Sequence, residues 1–161
     1  MPRGNETPGV AAFGDVARVD ASFPCTYTLM FPTGVIAVGD WVEMDETVTT
    51  KGFGAHCKAL DQASAVLQRV VGVAVQAAAA SSTTVPIKIQ TYGVFSTDDG
   101  ATAAQASVVT AAPTGNPLMK SATTAGRAIV YTSATVNARV IGHTLETAAS
   151  NLARVFIYGP R

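Results

Sequence analysis

His56 and Cys57 are the only adjacent pair in the chain that looks reactive, and their adjacency already limits what they can do. A thiol and an imidazole form a nucleophile and its base only when the ring nitrogen reaches the sulfur and a third group orients the ring. Consecutive side chains in a strand point to opposite faces. The segment reads as strand, so the expected arrangement is a core thiol beside a surface imidazole. The remaining zinc-type side chains, Cys25 and His143, stand at separations that match neither the C-x₂₋₄-C nor the H-x₃₋₅-H spacing from which such sites are built locally. No metal is expected. Asp40, Glu43, Asp45 and Glu46 could be a carboxylate pair or a calcium loop, but the glycine and terminal glutamate of an EF-hand are missing. A solvated turn and strand face is the simpler reading, and Asp98-Asp99-Gly100 is a turn signal before it is an acid pair.

Gly52-Phe53-Gly54 begins like a phosphate loop but has no third glycine and no Gly-Lys-Ser/Thr, so it reads as a bend between strands. Neither a Gly-x-Ser-x-Gly elbow nor a His-Glu-x-x-His helix is present. Trp41, Tyr27, Tyr92, Tyr131 and Tyr158 could line a carbohydrate or base-stacking surface, although single aromatics in strands more often pack across strands or in the core. These residues indicate no enzyme, no catalytic residue and no cofactor.

Composition narrows the partners. The chain has 161 residues, enough for one domain with its own core. Eleven Lys plus Arg balance eleven Asp plus Glu, so the formal net charge is zero and there is no long-range field to gather nucleic acid or anionic lipid. Charged residues are 14% of the chain, against a usual share of about 25%. Together with a mean hydropathy of +0.28, this points to assembly, because net charge is what ordinarily keeps a monomer apart. The opening Met1 to Gly9 has no apolar core of a signal peptide, which implies cytoplasmic synthesis. The longest weakly polar run, Val70 to Ala80, is broken by Gly72 and Gln76 and is far short of the ~20 apolar residues of a membrane helix. Cys25 and Cys57 are expected to stay reduced.

Any functional group must therefore be carried by strands. Short apolar or β-branched runs recur at Cys25 to Phe31, Val35 to Val38, Trp41 to Met44, Val70 to Val75, Val85 to Ile89, Val94 to Phe95, Ala128 to Thr132, Val136 to Ile141 and Arg154 to Tyr158, with turn residues between them. Lys58 to Arg69 is the best helix candidate, with Leu60, Ala63 and Leu67 at roughly helical spacing but no full apolar stripe. The expected fold is mainly β: a compact antiparallel barrel or sandwich of two related strand units, with an extended N-terminal arm and at most one short helix.

The two units show as an internal near-duplication. Val38-Gly39-Asp40-Trp41-Val42-Glu43-Met44 parallels Thr114-Gly115-Asn116-Pro117-Leu118-Met119-Lys120. Gly54 to Ala59 parallels Gly126 to Tyr131, Arg69-Val70-Val71-Gly72 parallels Arg139-Val140-Ile141-Gly142, and the strand ending at Gly93 parallels the one ending at Gly159. This divides a single β domain, 1–161, into an arm (1–13), a first unit (34–93), a connecting loop (96–113) and a second unit (110–159).

Val71-Gly72-Val73-Ala74-Val75, the alanine run Ala77 to Ala80, the strand Val85-Pro86-Ile87-Lys88-Ile89 and the upstream Val38-Gly39-Asp40-Trp41-Val42 resemble the capsid decoration, or cement, proteins of tailed bacteriophages. The second unit matches more loosely, with Pro117 in the place of Trp41 and His143 within its apolar strand. The resemblance implies a structural virion protein made in the host cytoplasm, commonly a homotrimer, that binds the outer head surface and ties major capsid protein subunits together. No nucleic acid, membrane or cofactor is implied. An extended arm can add a strand to a neighbour's edge, and Pro2, Arg3, Asn5, Thr7, Pro8, Val10 and Phe13 are its candidate capsid-binding residues. The alternative is a head or tail fibre, or receptor-binding module, with recognition carried by loops such as Asp98 to Thr102. A hydrolase using His56 or His143 ranks behind both.

Overall fold

The computed structural model describes residues 25–52, 54–60, 69–98, 103–109, 112–121, 123–132 and 139–159. Their regular structure is all strand: β1 (Cys25–Pro32), β2 (Trp41–Met44), β3 (His56–Ala59), β4 (Val70–Ala74), β5 (Ile87–Val94), β6 (Gln105–Ser107), β7 (Pro117–Lys120), β8 (Ala128–Val130), β9 (Gly142–Thr144) and β10 (Leu152–Ile157).

Strands β1 to β5 close a barrel. β2 lies between β3 and β4, antiparallel to both, and β4 pairs antiparallel with β5. β1 shuts the ring, antiparallel to β5 and parallel to β3. The later strands repeat this order outside the barrel. β7 lies between β8 and β9, β9 pairs with β10, and β6 runs antiparallel to β10 as β1 does to β5. Val108, just after β6, bridges Ala128 of β8 in the parallel sense. The same ring is thus traced on strands no longer than their counterparts, with a single bridge at its last joint.

The register matches residue by residue. Val42 faces Gly72 and Leu118 faces Gly142, while Val73 faces Gln90 and His143 faces Phe156. A Cβ on Gly72 would stand 1.9 Å from the Gln90 carbonyl oxygen, and one on Gly142 would stand 2.3 Å from that of Phe156. Only glycine allows this approach, at the same point of each half. Three further glycine pairs share a left-handed backbone: Gly39 and Gly115 (φ 90° and 81°), Gly54 and Gly126 (81° and 73°), Gly93 and Gly159 (98° and 84°). Between β3 and β8 the sequence alignment is out by one. Met44 faces Cys57 and Lys120 faces Ala128, so Ala128 is the counterpart of Cys57 rather than of His56, because the chain reaches its strand one residue sooner after Gly126.

The halves join where β5 and β10 pair antiparallel, Gly93 with Ile157 and Val94 with Phe156. Carried one residue further, that register sets Tyr92 against Tyr158. These two residues are counterparts, so the seam has two-fold pseudo-symmetry.

Two cores follow. Met30, Val42, Cys57, Ala74, Ile87 and Ile89 of the barrel strands pack together with Ile36 of the β1–β2 connection. Trp41, Leu60, Val73, Phe95, Leu118, Ile141, Val155 and Ile157 pack between the barrel and the second half. In β2 the alternation of a strand sends Val42 to the first core and Trp41 to the second. In β4 Val42 faces Gly72 and Glu43 faces Val70, leaving Val71 as the extra residue of a bulge. The bulge resets the alternation, so Val70 and Val73 both reach the second core and Val71 turns to the first.

Several expectations are corrected. The helix candidate Lys58 to Arg69 begins inside strand β3, because Lys58 and Ala59 pair with β2; residues 61–68 lie outside the described residues. The connecting segment 96–113 contains β6, whose backbone pairing with β10 gives Gln-Ala-Ser a place in the sheet despite its weak strand propensity. The separate runs at Val85 to Ile89 and Val94 to Phe95 are joined by one strand, β5, which starts at Ile87 and continues through Gln90 to Gly93 to end at Val94. The arm, 1–13, lies outside the described residues.

Candidate functional site

The structure separates the groups singled out for chemistry. His56 is 1% exposed rather than at the surface, packed against the Phe31 ring at 5.8 Å. Neither of its ring nitrogens has a hydrogen-bond partner among the described residues, and the same holds for the Trp41 indole nitrogen. Strand β3 ends up covered on both faces, which alternation alone does not reveal. Cys57 is fully buried, and burial, with the nearby Asp45 charge, pushes its thiol up to about 12, so it holds no thiolate near neutral pH. Both cysteines are free thiols. His143 belongs to β9 and shares a hydrogen bond of 2.9 Å between its Nδ1 and the Tyr158 hydroxyl. Among the described residues no three His, Cys, Asp or Glu side chains gather as metal ligands would.

The acidic run is not a solvated face. Each of its carboxylates fixes a different joint. The Asp40 carboxylate accepts from the Ala37 backbone N–H (2.9 Å) within its own turn and from the Ser107 hydroxyl (3.2 Å) of β6. Beside it the Trp41 N–H donates to the Gly126 carbonyl, and the Gly126 N–H to that of Leu60. Glu43, 2% exposed, accepts from Lys120 Nζ at 2.9 Å, with Lys58 Nζ 3.7 Å away. Asp45 accepts from the Thr33 and Thr47 hydroxyls, both at 2.7 Å, and from the Thr47 N–H. Burial opposes its charge, but these bonds and the Lys58 charge outweigh it and hold the carboxyl below its ordinary value. Glu46 pairs with Arg69. The Gly39-Asp40-Trp41 turn is therefore the joint between the halves. Gly39 lies against β6, where a Cβ would stand 3.0 Å from the Gln105 carbonyl oxygen, and Trp41 is seated over Gly142.

Three of the five aromatics considered as a surface take no part in one. Trp41 is buried, Tyr27 is half-buried under the Lys88 ammonium, 4.3 Å from its ring centre, and Tyr131 is half-buried beside Pro117, whose carbonyl accepts its N–H. The other two stand at the seam, linked through His143 and through Phe156, which sequence reasoning missed. Tyr92 packs edge-on against Phe156 at 5.3 Å, His143 stacks on Phe156 at 5.5 Å, and Tyr158 lies 5.4 Å from His143. Exposed Pro117, opposite His143, ends the row on β7. The signal available in the sequence was the recurrence of tyrosine immediately before Gly93 and Gly159. Asp98 accepts from the Ser96 hydroxyl in its turn, whereas Asp99 and Gly100 lie outside the described residues. So do Pro2, Arg3, Asn5, Thr7, Pro8, Val10 and Phe13.

This arrangement ties two barrel-like halves together and offers faces for contact, with no assembled reactive centre among the described residues. No protein-family model matches the chain, and no curated protein matches it. Among solved structures, a chain from the capsid of Myoviridae phage XM1 is similar in fold, with a TM-score of 0.56 and 15% sequence identity, covering 86% of this chain and 86% of that one.

Proposed function

We propose that this chain is a structural protein of a phage virion, and within that class a decoration or cement protein. It sits on the outer surface of the head, as a homotrimer, and bridges neighbouring major capsid protein subunits. The observation that carries this reading is the likeness of fold to a phage capsid chain over 86% of both chains.

The physical character of the molecule supports it. Cementing a shell needs a body that does not deform and surface that tolerates burial, rather than a catalytic group. Trp41, the Glu43–Lys120 pair and the Asp40 turn tie the halves together. A charged share of 14% leaves few ions to desolvate when surface is covered. In this reading the segment 1–13 reaches a neighbouring subunit, with backbone hydrogen bonds supplying affinity and Val10 and Phe13 supplying apolar contact.

The test is co-sedimentation of the purified chain with phage heads assembled without it. The full chain is expected to pellet with the heads and to raise the temperature at which they rupture. A chain lacking residues 1–13 is expected to keep its melting temperature and to bind at least ~10-fold more weakly, the equivalent of about 1.4 kcal/mol. Heads that neither take up the full chain nor gain stability would overturn the reading, and undiminished binding of the shortened chain would remove the arm from it.

A further inference from the structure

The aromatic row at the seam runs across five adjacent strands. Thr26 of β1 faces Tyr92 of β5, Tyr92 packs on Phe156 of β10, Phe156 faces His143 of β9, and His143 faces Pro117 of β7. Four interstrand gaps of about 4.8 Å make the row roughly 19 Å wide. Its ends are open. Tyr92 is 43% exposed, and Thr26 and Pro117 are also exposed. No side chain named in the row carries a fixed charge.

The chain reaches this row at one edge. Cys25, the first residue of β1, is set against Gly93, the neighbour of Tyr92. Just before it comes Ala17-Arg18-Val19-Asp20-Ala21-Ser22-Phe23-Pro24. From Ala17 to Phe23 apolar and polar residues alternate without a break, the pattern of a strand with one covered side. All the charge, Arg18 and Asp20, falls on the other side. Seven extended residues span about 23 Å, enough to cross the row.

We infer that residues 17–23 of this chain lie across the seam row, with Ala17, Val19, Ala21 and Phe23 against Tyr92, Phe156, His143 and Pro117. Tethering favours this occupant over any foreign one, since a short link holds the segment at an effective concentration of order millimolar, and modest apolar contact is then sufficient. The inference does not depend on the capsid reading.

Trypsin tests it, because Arg18 lies within the segment and Arg3 lies before it. Cleavage of a site that must open first follows the population of the open form. In the intact chain, cutting after Arg18 is expected to be at least ~10-fold slower relative to Arg3 than in Phe23→Asp or Tyr92→Ser, neither of which alters the cleavage site. Unchanged unfolding of the body, followed by Trp41 fluorescence, keeps the comparison valid, and Phe23→Asp changes no residue of the barrel strands should Tyr92→Ser perturb them. Equal cutting after Arg18 in the intact chain and both variants would overturn the inference. So would protection that rises with protein concentration, which would assign the cover to a neighbouring copy.

Discussion

Asp45 is buried, which by itself disfavours a carboxylate, yet its bonds from Thr33 and Thr47 and the Lys58 charge hold its carboxyl below the ordinary value. A carboxyl whose folded value lies below its unfolded one, about 3.9, contributes stability that is complete above that value and disappears as the pH falls through the folded value. Urea unfolding is therefore expected to show stability falling as pH drops below ~4. Asp45→Asn should be less stable at pH 7 and show a shallower acid dependence; an unchanged dependence would remove Asp45 as its source. Single residues were the least legible scale in the sequence. Asp45, Glu43 and His56 all carry the composition of a surface, and what buries them is distant in the chain. The partner of Glu43 is Lys120, 77 positions on, and no local pattern marks that pairing.

At the scale of elements the glycines govern. Gly72 and Gly142 each let a strand pass against a carbonyl oxygen where a Cβ would clash with backbone. Backbone cannot swing aside as a flexible side chain does, so Gly72→Ala and Gly142→Ala are each expected to cost about 3 kcal/mol or more, read as a lower urea midpoint. Gly34→Ala, with nothing within 4 Å of the added carbon, should change little. Strand identity was largely legible, because β1, β2, β4 and β10 carry the apolar and β-branched residues that a half-buried strand selects. The glycine spacing gave the order of the second half as well. Two things escaped it. β6 has little strand propensity of its own and exists through its pairing with β10, and the one-residue slip between β3 and β8 lies in turn length, which strand patterns do not encode.

For the whole molecule, the decisive contact is the buried Glu43–Lys120 pair, which reaches from the barrel into β7. Removing the Glu43 carboxylate takes from the buried Lys120 ammonium the acceptor it bonds at 2.9 Å. Glu43→Gln is expected to cost about 3–5 kcal/mol, while Glu43→Met combined with Lys120→Met should recover most of that loss, since two apolar side chains of similar volume leave no orphaned charge. Urea titrations of the three proteins check this; a double variant no better than Glu43→Gln would show that the pair adds more than mutual compensation. Assembly size is tested at the same scale. A homotrimer should sediment at three times the monomer mass when alone and occupy heads in groups of three copies, and a strict monomer in both settings would exclude it.

The seam holds one more consequence. In the register that pairs Gly93 with Ile157, Tyr92 stands opposite its own counterpart, Tyr158, so exchanging the two halves leaves that register as it was. A register of this kind is isologous, the type by which two copies of one chain can pair edge to edge. The counterparts that differ, Trp41 with Pro117 and Val73 with His143, mark where one half departs from the other.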